Sequence, residues 1–291
     1  MTTVLVTGAT GHVGYQLATR LRNEGWTVRA LVRSPRQFDL VRGQGWEPVL
    51  GDLAHPESLQ IVQAGVEFVL HCAAYAGNDK MLYQRVNVDA TRALAALAHQ
   101  WKVRRFVHIS TISVHGNELP RQVTEESPLA TADPEPYCSS KALGELALAE
   151  IRAQGLETVV IRPGMICNVE RSQWGNEMVE RIRTKGWLKD LHPDDVLPWV
   201  HTLNLAEMTW LALNHPAAAN ETFLGVDRNV TMNEFFVPIA NALGQPVVPP
   251  DRAPQVSECH VGKFAALLGY KSTHSFEECM DGLVALAKGP H

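Results

Sequence analysis

The stretch VLVTGATGHVGYQL, residues 4–17, places three glycines between an apolar run and a helical pattern. VLVT is typical of a buried β-strand, whereas HVGYQL carries apolar residues at helical spacing. Gly8, Gly11 and Gly14 occupy the turn between them. Such a turn needs residues without Cβ constraints, and the helix N-terminus offers unpaired N–H donors to an anion. The stretch therefore predicts a dinucleotide-binding turn.

Short apolar runs continue to alternate with helical patterns as far as Pro163. The strand candidates are VLVT (4–7), TVRALVR (27–33), WEPVLGDL (46–53), VEFVLHCAA (66–74), RFVHIST (105–111) and ETVVIRPG (157–164). The clearest helical pattern between them runs over residues 81–100. Alternation of this kind predicts an α/β fold, a doubly wound parallel sheet of Rossmann-like type with helices on both faces.

After Pro163 the alternation weakens and a small C-terminal substrate-binding region is expected. We expect residues 197–215 to form a strand and helix that return to the sheet, and residues 221–226 to form a seventh strand. The predicted division is a dinucleotide-binding domain (1–164), a substrate-region insert (165–198), a return to the sheet (199–227) and a substrate-binding region (228–291).

Composition narrows the function classes. The 291 residues are 45 % hydrophobic and carry a net charge of -5 without any block of like charge, which disfavours nucleic acid or an anionic membrane as partner. The N-terminus resembles no signal peptide, and no run of about 18 apolar residues occurs. Five cysteines without C-x-x-C spacing indicate reduced thiols and no metal site. We therefore expect a cytoplasmic protein that acts on a small molecule.

The second strand candidate bears on cofactor preference. An acidic residue at its end would hold the ribose 2′-hydroxyl of NAD, whereas an arginine accommodates the 2′-phosphate of NADP. Here Arg33 and Arg36 follow the strand, and the first acidic residue is Asp39. The pattern favours NADP over NAD. At the end of the third strand, Asp52 and Leu53 are candidates for the adenine side.

DPEPYCSSKALGE, residues 133–145, sets Tyr137 and Lys141 four positions apart, on one face of a predicted helix. An ammonium near a phenol favours the phenolate and lowers the phenol pKa, so the pair could move a proton to or from a carbonyl oxygen. The preceding strand ends with Ser110 and Thr111, at the edge where open α/β sheets bind ligands. A hydroxyl there could hold the substrate oxygen.

The chain resembles an extended short-chain dehydrogenase/reductase, near the nucleotide-sugar epimerase, steroid dehydrogenase and dihydroflavonol reductase types. The motifs that carry the resemblance are TGATGHVG, GDL, HCAAYAG, NVDATRAL, STISVHG, YCSSK, RPG, LPWVHTLNLA and LGYKSTHSFEE. The resemblance implies catalytic roles for Thr111, Tyr137 and Lys141, with Ser110 and Ser113 as alternatives to Thr111. It implies cofactor contacts from Gly8, Thr10, Gly11, His12, Val13, Gly14, Arg33, Arg36, Asp52, Leu53, Ala73, Ala74, Tyr137, Lys141 and Pro163. It also implies a homodimer built by residues 81–100 and the helix of Tyr137 as a four-helix bundle.

Three positions depart from the family pattern. His115 replaces a frequent tyrosine and either reaches the substrate or supports the loop, the structural role being favoured. The segment Val200–Asn204 lacks two acidic residues of the family's V-H-V-D-D. Cys167 follows the RPG motif and is expected to be a buried small hydrophobe.

Three functions remain open from the sequence. Arg33 favours an NADP-dependent oxidoreductase that interconverts a ketone or aldehyde and an alcohol. Trp174, Met178, Trp187 and Trp199 offer apolar surface for a hydrophobic substrate. Against this, Arg171, Arg181 and Arg183 could bind the diphosphate of a nucleotide sugar, as in an NAD-dependent epimerase or dehydratase. The third function is a non-catalytic NADP-binding regulatory protein, although such relatives usually lose the tyrosine or the lysine.

Overall fold

The computed structural model describes residues 1–62, 65–186 and 190–289. Its strands are β1 (Thr3–Thr7), β2 (Thr27–Val32), β3 (Glu47–Leu50), β4 (Phe68–His71), β5 (Arg105–Ile109), β6 (Gln122–Val123), β7 (Thr158–Pro163), β8 (Met165–Cys167), β9 (Val196–His201), β10 (Thr222–Gly225), β11 (Arg228–Thr231) and β12 (Glu258–Cys259). Its helices are α1 (His12–Asn23), α2 (Phe38–Gly43), α3 (Lys80–Leu82), α4 (Ala90–Gln100), α5 (Pro136–Arg152), α6 (Asn176–Lys185), α7 (Thr202–Asn214), α8 (Met232–Ala242), α9 (Lys263–Leu268) and α10 (Phe276–Lys288). A π-helical segment, Tyr83–Asp89, joins α3 to α4.

The central sheet has seven parallel strands in the order β10-β7-β5-β4-β1-β2-β3. Its inner strands are apolar because helices cover both faces, as every residue of β4 and β5 is buried. The predicted Rossmann-like doubly wound α/β fold is confirmed, and the predicted seventh strand is β10. The carboxyl ends of β1, β4, β5 and β7 lie side by side, which brings the glycine turn and the residues after β5 to one edge.

One expectation about this sheet is wrong. The strand predicted to return to it, β9, lies instead in a second sheet of order β11-β9-β8. Gly164, directly after β7, lets the chain pass close to the backbone of β9, since a Cβ there would lie 2.5 Å from the Pro198 carbonyl oxygen. Trp199 then packs in a separate apolar core with Phe235 and Phe276. The chain returns to the central sheet only at β10, and the domain bounds themselves stay a prediction.

The described part of the chain contains no helix long and apolar enough to cross a membrane.

Candidate active site

The glycine turn is shaped by close backbone contacts. Gly8 has φ +70°, and a Cβ there would lie 2.8 Å from the Ala73 backbone nitrogen. A Cβ on Gly14 would lie 2.3 Å from the Gly8 carbonyl oxygen. These glycines therefore let α1 approach β1 and let the turn approach the end of β4.

Helix α1 begins with unpaired donors. Gly11 occupies its N-cap without a side-chain cap, and the first turn carries no acidic residue. The N–H groups of His12 and Val13 have no hydrogen-bond partner among the described residues. Donors left free at a helix N-terminus, where the dipole is positive, suit a phosphate. The turn fits a dinucleotide pyrophosphate.

Two cavities meet at this turn. The first, the Arg33 cavity, has a volume of about 740 Å³. Its lining includes Gly8, Thr10, Gly11, Arg33, Asp52, Leu53, Ala73 and Ala74. These residues follow β1, β2, β3 and β4, and all of them were predicted from the sequence as cofactor contacts. Arg36 is exposed in a 3₁₀ turn after β2 and does not line this cavity, so its cofactor role stays a prediction.

The second, the Tyr137 cavity, has a volume of about 530 Å³ and shares Gly8, Gly11, Cys72, Ala74 and Ala76 with the first. Its lining further includes His12, Val13, Gly14, Ser110, Thr111, Ser113, Tyr137, Pro163, Met165, Ile166, Arg171 and Trp174. The structure thus places the predicted hydroxyls beside the predicted nicotinamide-side residues. A dinucleotide could run from one cavity into the other across the glycine turn.

Tyr137 lies one residue into α5, behind Pro136 at the helix start and the N-cap Glu135, whose carboxylate accepts from the Tyr137 N–H. Burial raises the pKa of the Tyr137 phenol, while a hydrogen bond with the Thr111 hydroxyl acts in the opposite direction. Thr111 and Tyr137 therefore lie close enough to hold one substrate oxygen between them.

Lys141 corrects the electrostatic expectation. Its buried ammonium donates to the Ile109 carbonyl oxygen at 3.1 Å and lies 3.2 Å from His108 Nε2. It is not among the groups that shift the pKa of Tyr137, which burial raises. The expected lowering is therefore wrong for the protein without cofactor, because the lysine points into the sheet and the phenol points into the cavity.

The two imidazoles around Lys141 are neutral. Burial lowers the pKa of Lys141 to about 8, and the nearby Glu145 carboxylate acts in the opposite direction. Burial, with help from the lysine charge, lowers the pKa of His71 to about 3 and that of His108 well below its ordinary value. His108 Nδ1 is buried and has no hydrogen-bond partner within the described part of the chain. Both imidazoles are therefore neutral bases around one buried ammonium.

Glu145 and Arg162 form a buried ion pair that sequence reasoning missed. Arg162 Nη2 lies 2.6 Å from Glu145 Oε2, and both side chains are more than 90 % buried. Ser110 donates to the same carboxylate at 2.5 Å, so its hydroxyl is engaged by the protein rather than free for substrate. Glu145 lies four residues after Lys141, on the same face of α5. Its contacts with Ser110, which follows β5, and with Arg162 of β7 hold this face of α5 against the sheet. The sequence does contain one indication of this pair: Arg162 is a single charged residue inside the apolar run VVIRP, and a buried charge needs a partner.

His115 belongs to the same network. Its Nδ1 lies 2.9 Å from the Pro128 carbonyl oxygen and its Nε2 lies 3.3 Å from Arg162 Nη1. It does not line the Tyr137 cavity. The structure thus gives it the favoured supporting role.

Only some of the aromatic and basic residues that were expected to contact the substrate line the Tyr137 cavity. Trp174 lines it, whereas Met178 and Trp199 are buried in the second core, and Trp187 lies outside the described residues. Arg171 lines it too. Arg181 is exposed on α6, and Arg183 pairs with Glu180 and donates to the end of α10.

The departure at 200–204 has a structural explanation. Asn204 is fully buried, and its amide nitrogen lies 2.8 Å from Asp227 Oδ2, Ser272 Oγ and the His274 carbonyl oxygen, to which its two N–H groups can donate two hydrogen bonds at a time. An amide can donate these bonds, which a carboxylate cannot. Asn204 therefore anchors the C-terminal segment to α7.

Cys167 is buried, as expected, with its Sγ 3.8 Å from Cys279 Sγ. Among the described residues, no group of three or more potential metal ligands is present.

Comparison with known proteins decides the family. The sequence model of the NAD dependent epimerase/dehydratase family matches residues 4–224. The chain belongs to this family. It is an extended short-chain dehydrogenase/reductase, an enzyme class that the glycine turn and the Tyr137 cavity fit.

Two curated relatives are named reductases. The chain is 30 % identical over 242 residues to a 4-hydroxy-2-methyl-3-oxo-4-farnesyl-3,4-dihydroquinoline-1-oxide ketoreductase of Stigmatella aurantiaca, covering 82 % of this chain and 72 % of that protein. It is 32 % identical over 185 residues to a 2-alkyl-3-oxoalkanoate reductase of Stenotrophomonas maltophilia, covering 62 % and 56 %. The chain thus spans little more than half of the second relative.

Solved structures share the fold. A short-chain dehydrogenase/reductase superfamily protein from Agrobacterium tumefaciens with bound NAD has a TM-score of 0.82 and 25 % identity, covering 98 % of this chain and 97 % of that one. A UDP-glucose 4-epimerase from Thermotoga maritima has a TM-score of 0.80 and 20 % identity, with 97 % of each chain covered. The second similarity shows the fold alone.

Proposed function

We propose that this chain is an NADP-dependent oxidoreductase that interconverts a ketone or aldehyde and an alcohol on a small hydrophobic substrate. The observation that carries the proposal is the Tyr137 cavity, where the glycine turn, the Thr111 and Tyr137 hydroxyls and an apolar wall meet. Met165, Ile166 and Trp174 contribute that wall. The names of the two reductase relatives support net reduction of a ketone.

The bound cofactor would supply the hydride. Thr111 and Tyr137 hold the substrate oxygen by hydrogen bonds, and the Tyr137 hydroxyl donates a proton to that oxygen as it becomes an alcohol. A phenol with a raised pKa stays protonated at neutral pH. This state suits the reducing direction, since the enzyme then begins its cycle with the proton in place.

Lys141 predicts a pH dependence. In this account its ammonium holds the carboxyl end of β5 beside the Tyr137 cavity through the Ile109 carbonyl oxygen, and it loses its proton as the pH rises through about 8. We expect cofactor affinity to be highest below that pH and to fall above it. Tyr137 titrates at higher pH because its pKa is raised. Calorimetric titrations at several pH values should show this fall in the wild type but not in Lys141→Met; a profile flat through pH 8 would contradict the role.

Arg33 predicts the cofactor preference. It lines its cavity, and no carboxylate among the described residues pairs with it. A free guanidinium binds a phosphate dianion through charge-assisted hydrogen bonds, worth roughly tenfold or more in affinity. We expect NADPH to bind at least about tenfold more tightly than NADH, and Arg33→Ala to remove most of this difference. Arg42→Ala is the control, because Arg42 is exposed on α2 and does not line the cavity. Calorimetry showing tighter NADH binding would contradict the preference.

The alternative is an epimerase or dehydratase that returns the hydride to the same substrate. The family model, whose description covers epimerases and dehydratases, favours it. A screen of ketones, alcohols and sugar nucleotides, followed by the absorbance of the reduced cofactor, separates the two. Stoichiometric NADPH consumption with a ketone supports the oxidoreductase; conversion of a sugar nucleotide without net consumption would replace it by the alternative.

We also propose a homodimer through α4 and α5. These helices lie side by side, and Arg92 of α4 pairs with Glu150 of α5 within the chain. Leu146 of α5 is 45 % exposed, which suits an apolar contact between copies. We expect light scattering to give the mass of a dimer at micromolar concentration, and a monomer would contradict the arrangement.

A further inference from the structure

Arg171, which lines the Tyr137 cavity, has an unusual backbone conformation. Its φ is +49°, in the left-handed region that residues other than glycine seldom adopt. The other such residues in the described chain, Lys102 and Asn220, lie in turns that line neither cavity. A strained backbone persists only where the surrounding structure imposes it, and such residues are concentrated at ligand sites.

The segment around Arg171 is firmly built. The buried Ser172 donates its hydroxyl to the Ile166 carbonyl oxygen at 2.9 Å and its N–H to Asn176 Oδ1 at 2.8 Å. Gly175 packs so tightly that a Cβ would lie 1.7 Å from the Asn168 carbonyl oxygen. These contacts hold Arg171 at the cavity wall.

The side chain is directed toward α1. The Arg171 guanidinium carbon lies 3.9 Å from the centroid of the Tyr15 ring, and the Tyr15 hydroxyl donates to Gln44. Tyr15 directly follows Gly14 of the glycine turn. Stacking on this ring restricts the guanidinium before any ligand binds and so reduces the entropy cost of binding. The charge is thereby fixed relative to the N-terminus of α1.

A second contact joins the same two parts of the chain. His12, in the first turn of α1, lies 3.2 Å from the carboxylate of Glu177, in the first turn of α6. The segment that carries Arg171 immediately precedes α6. The glycine turn and this segment are therefore held together by two contacts, Arg171 with Tyr15 and His12 with Glu177.

The Arg171 charge has no counter-ion among the residues that the structure describes. Among the described residues no carboxylate forms an ion pair with it, and no acidic side chain lines the Tyr137 cavity. The same cavity is lined by the first turn of α1, whose N–H groups are free. Arg171 and the first turn of α1 thus both make the electrostatic potential positive near the glycine turn, and no acidic side chain in the cavity lining balances it.

We propose that Arg171, held against Tyr15 of α1, binds the pyrophosphate of the dinucleotide beside the first turn of α1. The inference rests on the proposed function, because it assumes that a dinucleotide occupies the glycine turn. Its ligand is the diphosphate group, which a planar guanidinium can contact through two parallel hydrogen bonds. An anionic group of the substrate is the competing ligand, but the stacking on Tyr15 fixes Arg171 to the cofactor turn rather than to Thr111 and Tyr137.

The test is a calorimetric comparison of two ligands. ADP-ribose carries the pyrophosphate, whereas adenosine 2′-monophosphate occupies only the Arg33 side and lacks it. Arg171→Gly relieves the backbone strain and removes the charge, and we expect it to weaken ADP-ribose binding about tenfold while leaving adenosine 2′-monophosphate unchanged. Arg171→Lys keeps the charge without the planar fork and should give a smaller loss. Arg181→Ala, an exposed arginine on α6, is the matched control and should bind both ligands as the wild type does.

The outcomes separate this inference from the proposed function. If the wild type binds ADP-ribose and Arg171→Gly binds it equally well, the pyrophosphate role is overturned and the dinucleotide site stands. If Arg171→Gly raises only the KM of the ketone substrate, Arg171 contacts substrate and the role is likewise overturned. If the wild type binds neither ADP-ribose nor NADPH, both the inference and the proposed function fail; if it binds NADPH but not ADP-ribose, the pyrophosphate role alone is overturned.

Discussion

Replacing Tyr137 by phenylalanine should lower turnover by a factor of roughly a hundred to ten thousand, the usual contribution of a positioned general acid. The change removes one oxygen from the Tyr137 cavity and leaves the glycine turn and the Arg33 cavity intact. NADPH affinity should therefore change little. Steady-state kinetics with the best substrate from the screen, together with calorimetric titration of NADPH, measure the two effects separately.

Tyr270→Phe is the matched control for this substitution. The Tyr270 hydroxyl donates to Asp227 at 2.8 Å and lines neither cavity. Loss of that hydrogen bond should cost on the order of 1 kcal/mol of stability and should leave turnover close to that of the wild type. A Tyr137→Phe enzyme that keeps most of its turnover would rule out the phenol as the acid.

Arg162→Met should destabilise the fold by about 3–5 kcal/mol, the usual cost of leaving one partner of a buried ion pair without the other. The guanidinium also donates to the Glu125 carbonyl oxygen at 2.7 Å, so that acceptor loses its donor as well. Chemical denaturation at neutral pH gives the free energy of unfolding directly.

Two further variants identify the cause of that loss. Removing both charges, as in Glu145→Leu with Arg162→Met, should cost much less than removing the arginine alone. Arg92→Met, which breaks the exposed pair with Glu150, should cost about 1 kcal/mol or less. The loss in Arg162→Met should shrink as the pH falls, because an unpaired buried carboxyl has a raised pKa and takes up a proton. Equal losses for Arg162→Met and Arg92→Met would contradict the account of α5.

The sequence was sufficient for features that depend on local pattern. Apolar runs and helical spacing located the seven strands of the central sheet, and the glycines after β1 located the dinucleotide turn. Tyr137 and Lys141 could be assigned to one helix face because four residues make about one turn. Thr111 could be placed near them because the carboxyl ends of parallel strands meet at one edge.

Features that depend on pairing across long separations could not be predicted. The local sequence of β9 does not determine whether it pairs with β8 or with the central sheet, because its apolar pattern fits both arrangements. Ser110 and Lys141 bind partners that are distant in sequence. The hydrogen bond of the Ser110 hydroxyl to Glu145 and the direction of the Lys141 side chain toward the sheet could therefore not be predicted. Arg162 could have been recognised as needing an anion, but its partner Glu145 is fixed only by the packing of α5 on β7.

The most direct test of the central claim is a crystal structure with oxidised NADP bound. The account predicts that the Tyr137 hydroxyl points into its cavity beside the pyridine ring, with the Thr111 hydroxyl next to it. A structure in which the coenzyme binds but the phenol points to bulk solvent, away from that ring, would contradict the account.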